Sequence, residues 1–298
     1  MPEYGQPEPG VVEITGEQEI APDLVVVPNR HLDLVPNIGV IAGTDSVLVV
    51  ETGMGPRNAE KVLKFAVGHA RGRRLYLTTT HFHPEHTFGA QAFAGHATYL
   101  ANWAQADDLA EKGAGYLEMF RGLGEWVARQ LEGVELIAPD VVYDGSYDLD
   151  LGGRVVQLRP TGRGHTKGDQ VVMVPDAGVM FTGDLVETGQ FAIFPWFPPY
   201  DIDVTGVGWI GVMQRLIDER PRVVVPGHGD IGGPELIADV RDYLEELRDE
   251  TWRRRDAGMS EQAIAAEVRA VMTGRHPDWA QPEWVERGVG CLYSERAA

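Results

Sequence analysis

The chain has 298 residues, 43% hydrophobic and 24% charged, which supplies a sizeable core and excludes global disorder. A formal net charge of −19 repels phosphate backbones and acidic lipid, so nucleic acid and membrane are poor partners. The one cysteine, Cys291, excludes an intramolecular disulfide and a Cys-rich zinc site, and its thiol is expected to be inert.

Residues 1–8 (MPEYGQPE) lack the basic region and apolar core of a signal peptide, and no run of about 18 apolar residues marks a membrane span. A cytoplasmic location is the resulting expectation. Residues 1–20 read as an N-terminal arm, with 1–10 extended and loosely held. Residues 21–298 read as one domain, since no linker divides them.

Leu24–Val27 is strand-like, and the apolar runs 38–42 and 47–50 flank a Gly-Thr-Asp-Ser turn as a hairpin. Residues 58–70 carry Val62, Leu63, Phe65 and Ala66 at helical spacing. A strand at 75–79 runs into a histidine cluster, and 88–93 reads as helical. Residues 103–132 form a helical insertion, with a break expected at Gly113-Ala114-Gly115. Strands follow at 141–143, 147–151, 155–158, 170–174 and 179–181, then a helix at 207–220 and a strand at 223–225. Two helices, near 235–254 and 260–272, close the pattern, giving C-terminal helices across 235–273. Strands followed by a helix thus occur twice, which fits two stacked sheets with helices outside. The basic runs Arg71–Arg74 and Arg253–Arg255 read as a turn and a helix end, not a binding patch.

Three of the nine histidines fall within six residues, in His81-Phe82-His83-Pro84-Glu85-His86. His81 and His83, two apart, point the same way in extended backbone, and Pro84 then turns the chain. Three buried imidazoles without a metal or carboxylate partner would be costly. Imidazole with carboxylate suits Zn(II), and also Fe(II) or Mn(II). His165, Asp184 and His228 follow later, each beside glycine, which lets backbone approach a bound ion. His31, His69, His96 and His276 are isolated and read as structural or surface residues. Asp169 reads as a partner holding its own loop or a ligand histidine.

These segments, in this order between about residues 24 and 230, resemble the metallo-β-lactamase superfamily and its His-x-His-x-Asp-His motif. The resemblance implies an α/β fold, a four-layer αββα sandwich of two mixed sheets. It implies that His81, His83 and His165 hold one metal, that Glu85, His86 and His228 hold another, and that Asp184 bridges them. One or two Zn(II) ions are then expected. Glu51, where the family commonly has aspartate, is expected to be structural.

Glu85 departs from the motif. At fixed backbone its carboxylate overshoots the aspartate position by roughly a C–C bond length. Glu85 then either ligates with the loop adjusted, or acts as general base, or leaves a weak second site. Glu85 and Asp184 are the catalytic candidates.

The activity implied is hydrolysis, with a metal-activated hydroxide attacking a carbonyl ester, lactone, thioester or amide, a β-lactam included. A mononuclear-iron thiol or persulfide oxygenase and a non-catalytic binding protein on the same fold are the alternatives. The aromatic, proline-rich run 191–200 suits either a pocket wall or core and interface packing, and the 103–132 insertion suits core packing better than a lid. A small, partly apolar substrate is the expected partner, with the oligomeric state open.

Overall fold

The computed structural model describes residues 9–296, so most of the expected loose N-terminal arm lies outside the described residues. The rest of the 1–20 arm is held to the domain. Val12 is buried, its amide donates to Asn58, and Gln18–Ala21 form strand β1.

The strands make two mixed sheets. In the first, β1 is followed in spatial order by β2 (Leu24–Val27), β3 (Ile38–Ala42), β4 (Ser46–Val50), β5 (Arg74–Thr78), β6 (Ala97–Asn102) and β7 (Val141–Tyr143). Pairing is antiparallel as far as β4 and parallel beyond it. The second sheet holds β8 (Tyr147–Asp150), β9 (Val155–Pro160), β10 (Gln170–Val174), β11 (Val179–Glu187) and β12 (Val223–His228), antiparallel except for β11 with β12.

Side chains alternate across each strand and so assign the layers. Leu48 and Val50 of β4 meet Val172, Val174 and Phe181 between the sheets. Val47 and Val49 face the opposite way, onto Ala59, Val62 and Ala66 of α1 (Gly55–Ala70). On the other side, Val171 and Met173 of β10 pack on α2 (Gly206–Asp218) and α3 (Glu235–Asp256) through Trp209, Met213 and Leu244. The result is the expected αββα sandwich.

The insertion departs from expectation in where it breaks. Its first helix runs unbroken through Gly113 and Gly115 from Trp103 to Arg121, and the chain turns at Gly122–Gly124 before a second piece, Glu125–Gln130. The two glycines serve close packing instead. A Cβ at Gly115 would overlap the Tyr200 hydroxyl, and one at Gly113 would press on Leu136. Tertiary contact thereby outweighs the roughly 1 kcal/mol that each glycine costs a helix. Leu109, Tyr116, Phe120, Val127 and Leu131 of this insertion pack against Met54, Phe82 and Phe88.

Three other elements differ from the sequence reading. The stretch 88–93 is no single helix: one turn spans Pro84–Thr87 and a 3-10 turn spans Ala90–Phe93. β6 follows unforeseen, because its alternation is masked by Ala and Asn. A third closing helix, Trp284–Glu295, packs Val285, Val289 and Leu292 into the helical layer beyond Glu261–Arg275. Cys291 is buried there, and burial pushes its thiol up to about 12, as an inert thiol requires. Among the described residues, no helix is long and apolar enough to cross a membrane.

Candidate metal centre

The histidine cluster leaves the end of β5 in extended backbone, and Pro84 then opens a single helical turn, where its fixed φ and missing N–H cost nothing. His81 and His83 accordingly converge, with His81 Nε2 3.0 Å from His83 Nδ1. His165, from the loop before β10, brings its Nε2 to 3.0 Å from the same His83 nitrogen.

Asp184 sits within β11, where the pairing register with β12 shifts on either side of Gly183. Gly183 has φ +53°, and a Cβ there would overlap Thr80, so only glycine lets the strand turn the aspartate inward. Asp184 Oδ2 lies 3.7 Å from both His81 Nε2 and His165 Nε2. Its Oδ1 lies 3.2 Å from His86 Nε2 and 3.5 Å from His228 Nε2. Two groups of donors result, His81/His83/His165/Asp184 and Glu85/His86/Asp184/His228, each with one atom per residue within 4.8 Å of the others. All seven side chains are buried.

The chemistry of these donors fits divalent cations. His165 Nδ1 lies 2.9 Å from the Ile193 carbonyl and His228 Nδ1 lies 2.9 Å from the Val35 carbonyl. A carbonyl only accepts, so each Nδ1 carries a proton and Nε2 is the nitrogen that each ring turns inward. His81 Nδ1 is occupied by the Thr80 hydroxyl at 3.1 Å. Glu85 Oε2, His86 Nε2 and Asp184 Oδ1 are buried with no hydrogen-bond partner. Converging lone pairs and a buried carboxylate without donors are costly unless a cation satisfies them.

Electrostatics separates the two groups. Burial holds His81 and His83 well below the usual imidazole range and His165 down to about 4. Burial acts the same way on His86 and His228, but the neighbouring carboxylates together outweigh it, Asp184 and Glu51 holding His86 well above the usual range and Asp184 and Glu187 holding His228 up to about 9. Burial also raises Glu85.

Several supporting residues, Glu51 apart, carry no sequence signal. Glu51 lies 3.4 Å from His86 Nδ1 and accepts from the Thr80 amide, in the structural place expected of it. Tyr116 stacks on the His83 ring at 5.1 Å and donates to Asp201. Lys112 neutralises the same corner, with Asp108, Asp201 and Asp203 within 3.2 Å. Asn37 donates to the carbonyls of Pro226 (2.9 Å) and Gly229 (3.0 Å), gripping the loop that carries His228. Only folding brings these residues to the centre. Asp169 holds its own loop, accepting from the Thr166 amide at 2.9 Å, and does not reach a ring nitrogen.

His31, His69 and His276 stand apart from the cluster, with His31 pairing Asp230 at the surface and His276 stacking on Trp279. Of the 191–200 run, Phe191 and Phe194 are core residues, whereas Tyr200 is exposed.

Comparison with known proteins agrees with this geometry. The sequence profile of the metallo-β-lactamase superfamily matches residues 32–228. The bovine (Bos taurus) acyl-coenzyme A thioesterase MBLAC2 is 28% identical over 222 residues, covering 67% of this chain and 75% of the relative. The metallo-β-lactamase type 2 of Bacteroides fragilis is 30% identical over 118 residues, 39% of this chain and 46% of that one. Among solved structures, a metallo-β-lactamase from Pontibacter korlensis superposes with a TM-score of 0.62 at 20% identity, over 77% of this chain and 98% of its own. The sec-alkylsulfatase Pisa1 from Pseudomonas sp. gives a TM-score of 0.70 at 17% identity, over 94% of this chain and 50% of its own. The profile match, the αββα layers and the paired donor groups agree: this chain belongs to the metallo-β-lactamase superfamily of metallo-hydrolases.

Proposed function

We propose that the chain hydrolyses a small carboxylic thioester or ester with an apolar acyl group, using two divalent cations, zinc by preference. The sharing of one buried aspartate by two complete donor groups carries this reading. His81, His83 and His165 would hold one ion and Glu85, His86 and His228 the other, with Asp184 available to both. A divalent cation held there brings the pKa of water to about 7 and polarises a carbonyl oxygen. Of the three roles open to Glu85, ligation of the second ion is favoured, since its carboxylate lies with His86, Asp184 and His228.

The chain's own residues do the rest. The Ile193 and Val35 carbonyls hold Nδ1 of His165 and His228, so each ring presents Nε2 to the centre in a fixed orientation. Glu51 holds His86 from behind. Phe82 and Tyr116, packed edge to face at 4.9 Å in the core, back the His83 ring, on which Tyr116 stacks. The thioesterase name of the bovine relative favours an acyl thioester or ester as substrate. A complete second donor group does not favour the mononuclear-iron alternative.

Elemental analysis of the purified protein, paired with a panel of acyl thioesters, aryl esters, lactones and β-lactams, tests the proposal. One ion per donor group and thioester or ester turnover are expected, with His83→Ala losing tight metal binding and turnover together. Undiminished turnover in His83→Ala would refute it.

A further inference from the structure

The first donor group depends on a hydrogen bond that no histidine controls. His165 owes its tautomer to the carbonyl of Ile193, which lies in irregular backbone after β11. An irregular segment aims a carbonyl only if something else fixes it. Glu187, the last residue of β11, does so with both carboxylate oxygens: Oε2 accepts from the Ile193 amide at 2.8 Å, and Oε1 accepts from the Gln190 side chain at 2.7 Å. Glu187 is 4% exposed and belongs to neither donor group. The same loop is tied to the C-terminal helical region, where Phe191 N donates to Ala280 O at 3.1 Å and Ala280 N to Gly189 O at 2.9 Å. Ala280 lies beyond the residues matched by the family profile, which end at 228.

We propose that Glu187 is a positioning residue for the first metal. It holds the 190–193 loop so that the Ile193 carbonyl receives the His165 Nδ1–H and the His165 Nε2 lone pair faces the ion. This rests on the two-metal reading above. The chemistry required is two acceptors within one buried side chain. Leucine matches the volume and supplies neither. Glutamine keeps one acceptor for the Ile193 amide, and the Gln190 amide can turn about to accept from its new NH2 group. The ranking expected is therefore wild type close to Glu187→Gln, both well above Glu187→Leu.

The test uses the full chain loaded with zinc and titrated with a competing chelator. Glu187→Leu is expected to lose roughly 10- to 100-fold in affinity for the first ion, in line with removal of other outer partners of metal-ligating histidines, with a distinctly smaller change at the second, whose ligand His228 pairs with Glu187 across β11 and β12. In 15N-histidine-labelled protein, the His165 Nδ1–H resonance should be slow to exchange in wild type and Glu187→Gln. It should exchange fast in Glu187→Leu, while the His228 Nδ1–H stays protected by Val35. A merely structural role would weaken both ions alike and leave the two resonances in step. Glu187→Met, unbranched and acceptor-free, replaces the leucine variant should that one fail to fold. A wild-type protein that takes up no metal overturns the underlying two-metal reading. A wild type that loads normally beside a Glu187→Leu with unchanged affinity and resonance overturns only the role of Glu187, as does a Glu187→Gln variant that loses the first ion.

Discussion

Replacing Asn37 with aspartate alters volume very little but reverses the chemistry of one buried amide. Asn37 is 2% exposed, and its Nδ2 donates to Pro226 O at 2.9 Å and to Gly229 O at 3.0 Å, the two flanks of His228. Its Oδ1 accepts from the Asn29 amide at 2.8 Å, which aspartate can still do. The variant thus leaves two carbonyls facing a carboxylate. Each buried polar group left unsatisfied costs about 1–3 kcal/mol, so the pair costs about 2–6 kcal/mol before repulsion between carboxylate and carbonyl oxygens is counted. The loop escapes this by peeling away from Asn37, and His228 then leaves both Val35 and the donor group. An ion that must draw the loop back binds weaker by up to about 30- to 20,000-fold, at about 1.4 kcal/mol per factor of ten. Chelator competition on the zinc-loaded protein reads this directly, with thermal unfolding of the metal-free protein as the measure of general damage. Asn37→Asp is expected to weaken one ion selectively. Equal weakening of both ions, or none, would refute the assignment of Asn37 as the grip on His228.

Two further outcomes follow from the centre's geometry. A Cβ at Gly227 would overlap Asp184 Oδ1, so Gly227→Ala must displace the shared carboxylate, and elemental analysis should find both ions depleted; normal loading would contradict the bridging role. The second donor group should also empty first on acidification. His86 is held well above its ordinary value and His228 up to about 9, so an ion entering this group competes with protons at higher pH than one entering the other. His81 and His83 are held well below the ordinary value and His165 at about 4, so the first group meets no such competition until far lower pH. Dialysis from about pH 8 to about pH 6 should remove one ion and leave the other, with proton release on reloading measurable by calorimetry in two buffers. Simultaneous loss of both ions would contradict the asymmetry.

Much of this was legible from residue order. Ligand histidines at 81, 83 and 86 sit on a single extended-then-turned segment, so local backbone geometry alone brings them together. Buried strands showed as apolar runs because each is covered on both faces. What local pattern misread was the role of small residues. Gly113 and Gly115 resemble a helix break, yet they are there for Leu136 and Tyr200, which are distant in sequence. β6 and the last helix escaped notice because their patterns are short or diluted by Ala, Gly and polar residues.

The sequence by itself pointed to the αββα class and to His81, His83, Glu85, His86, His165, Asp184 and His228 as donors, through the order of its motifs and their family resemblance, although only the 81–86 cluster is a local property. The tertiary structure brings these donors within reach of one another as two groups sharing Asp184, and it alone decided which distant backbone carbonyls and side chains hold them. Val35, Asn37, Glu187 and Ile193 act through hydrogen bonds across 28 to 193 positions of the chain or through loop backbone, and such contacts leave no period or motif in the sequence. Their physical cause is the meeting of loop ends from both sheets, which exists only once the layers have packed.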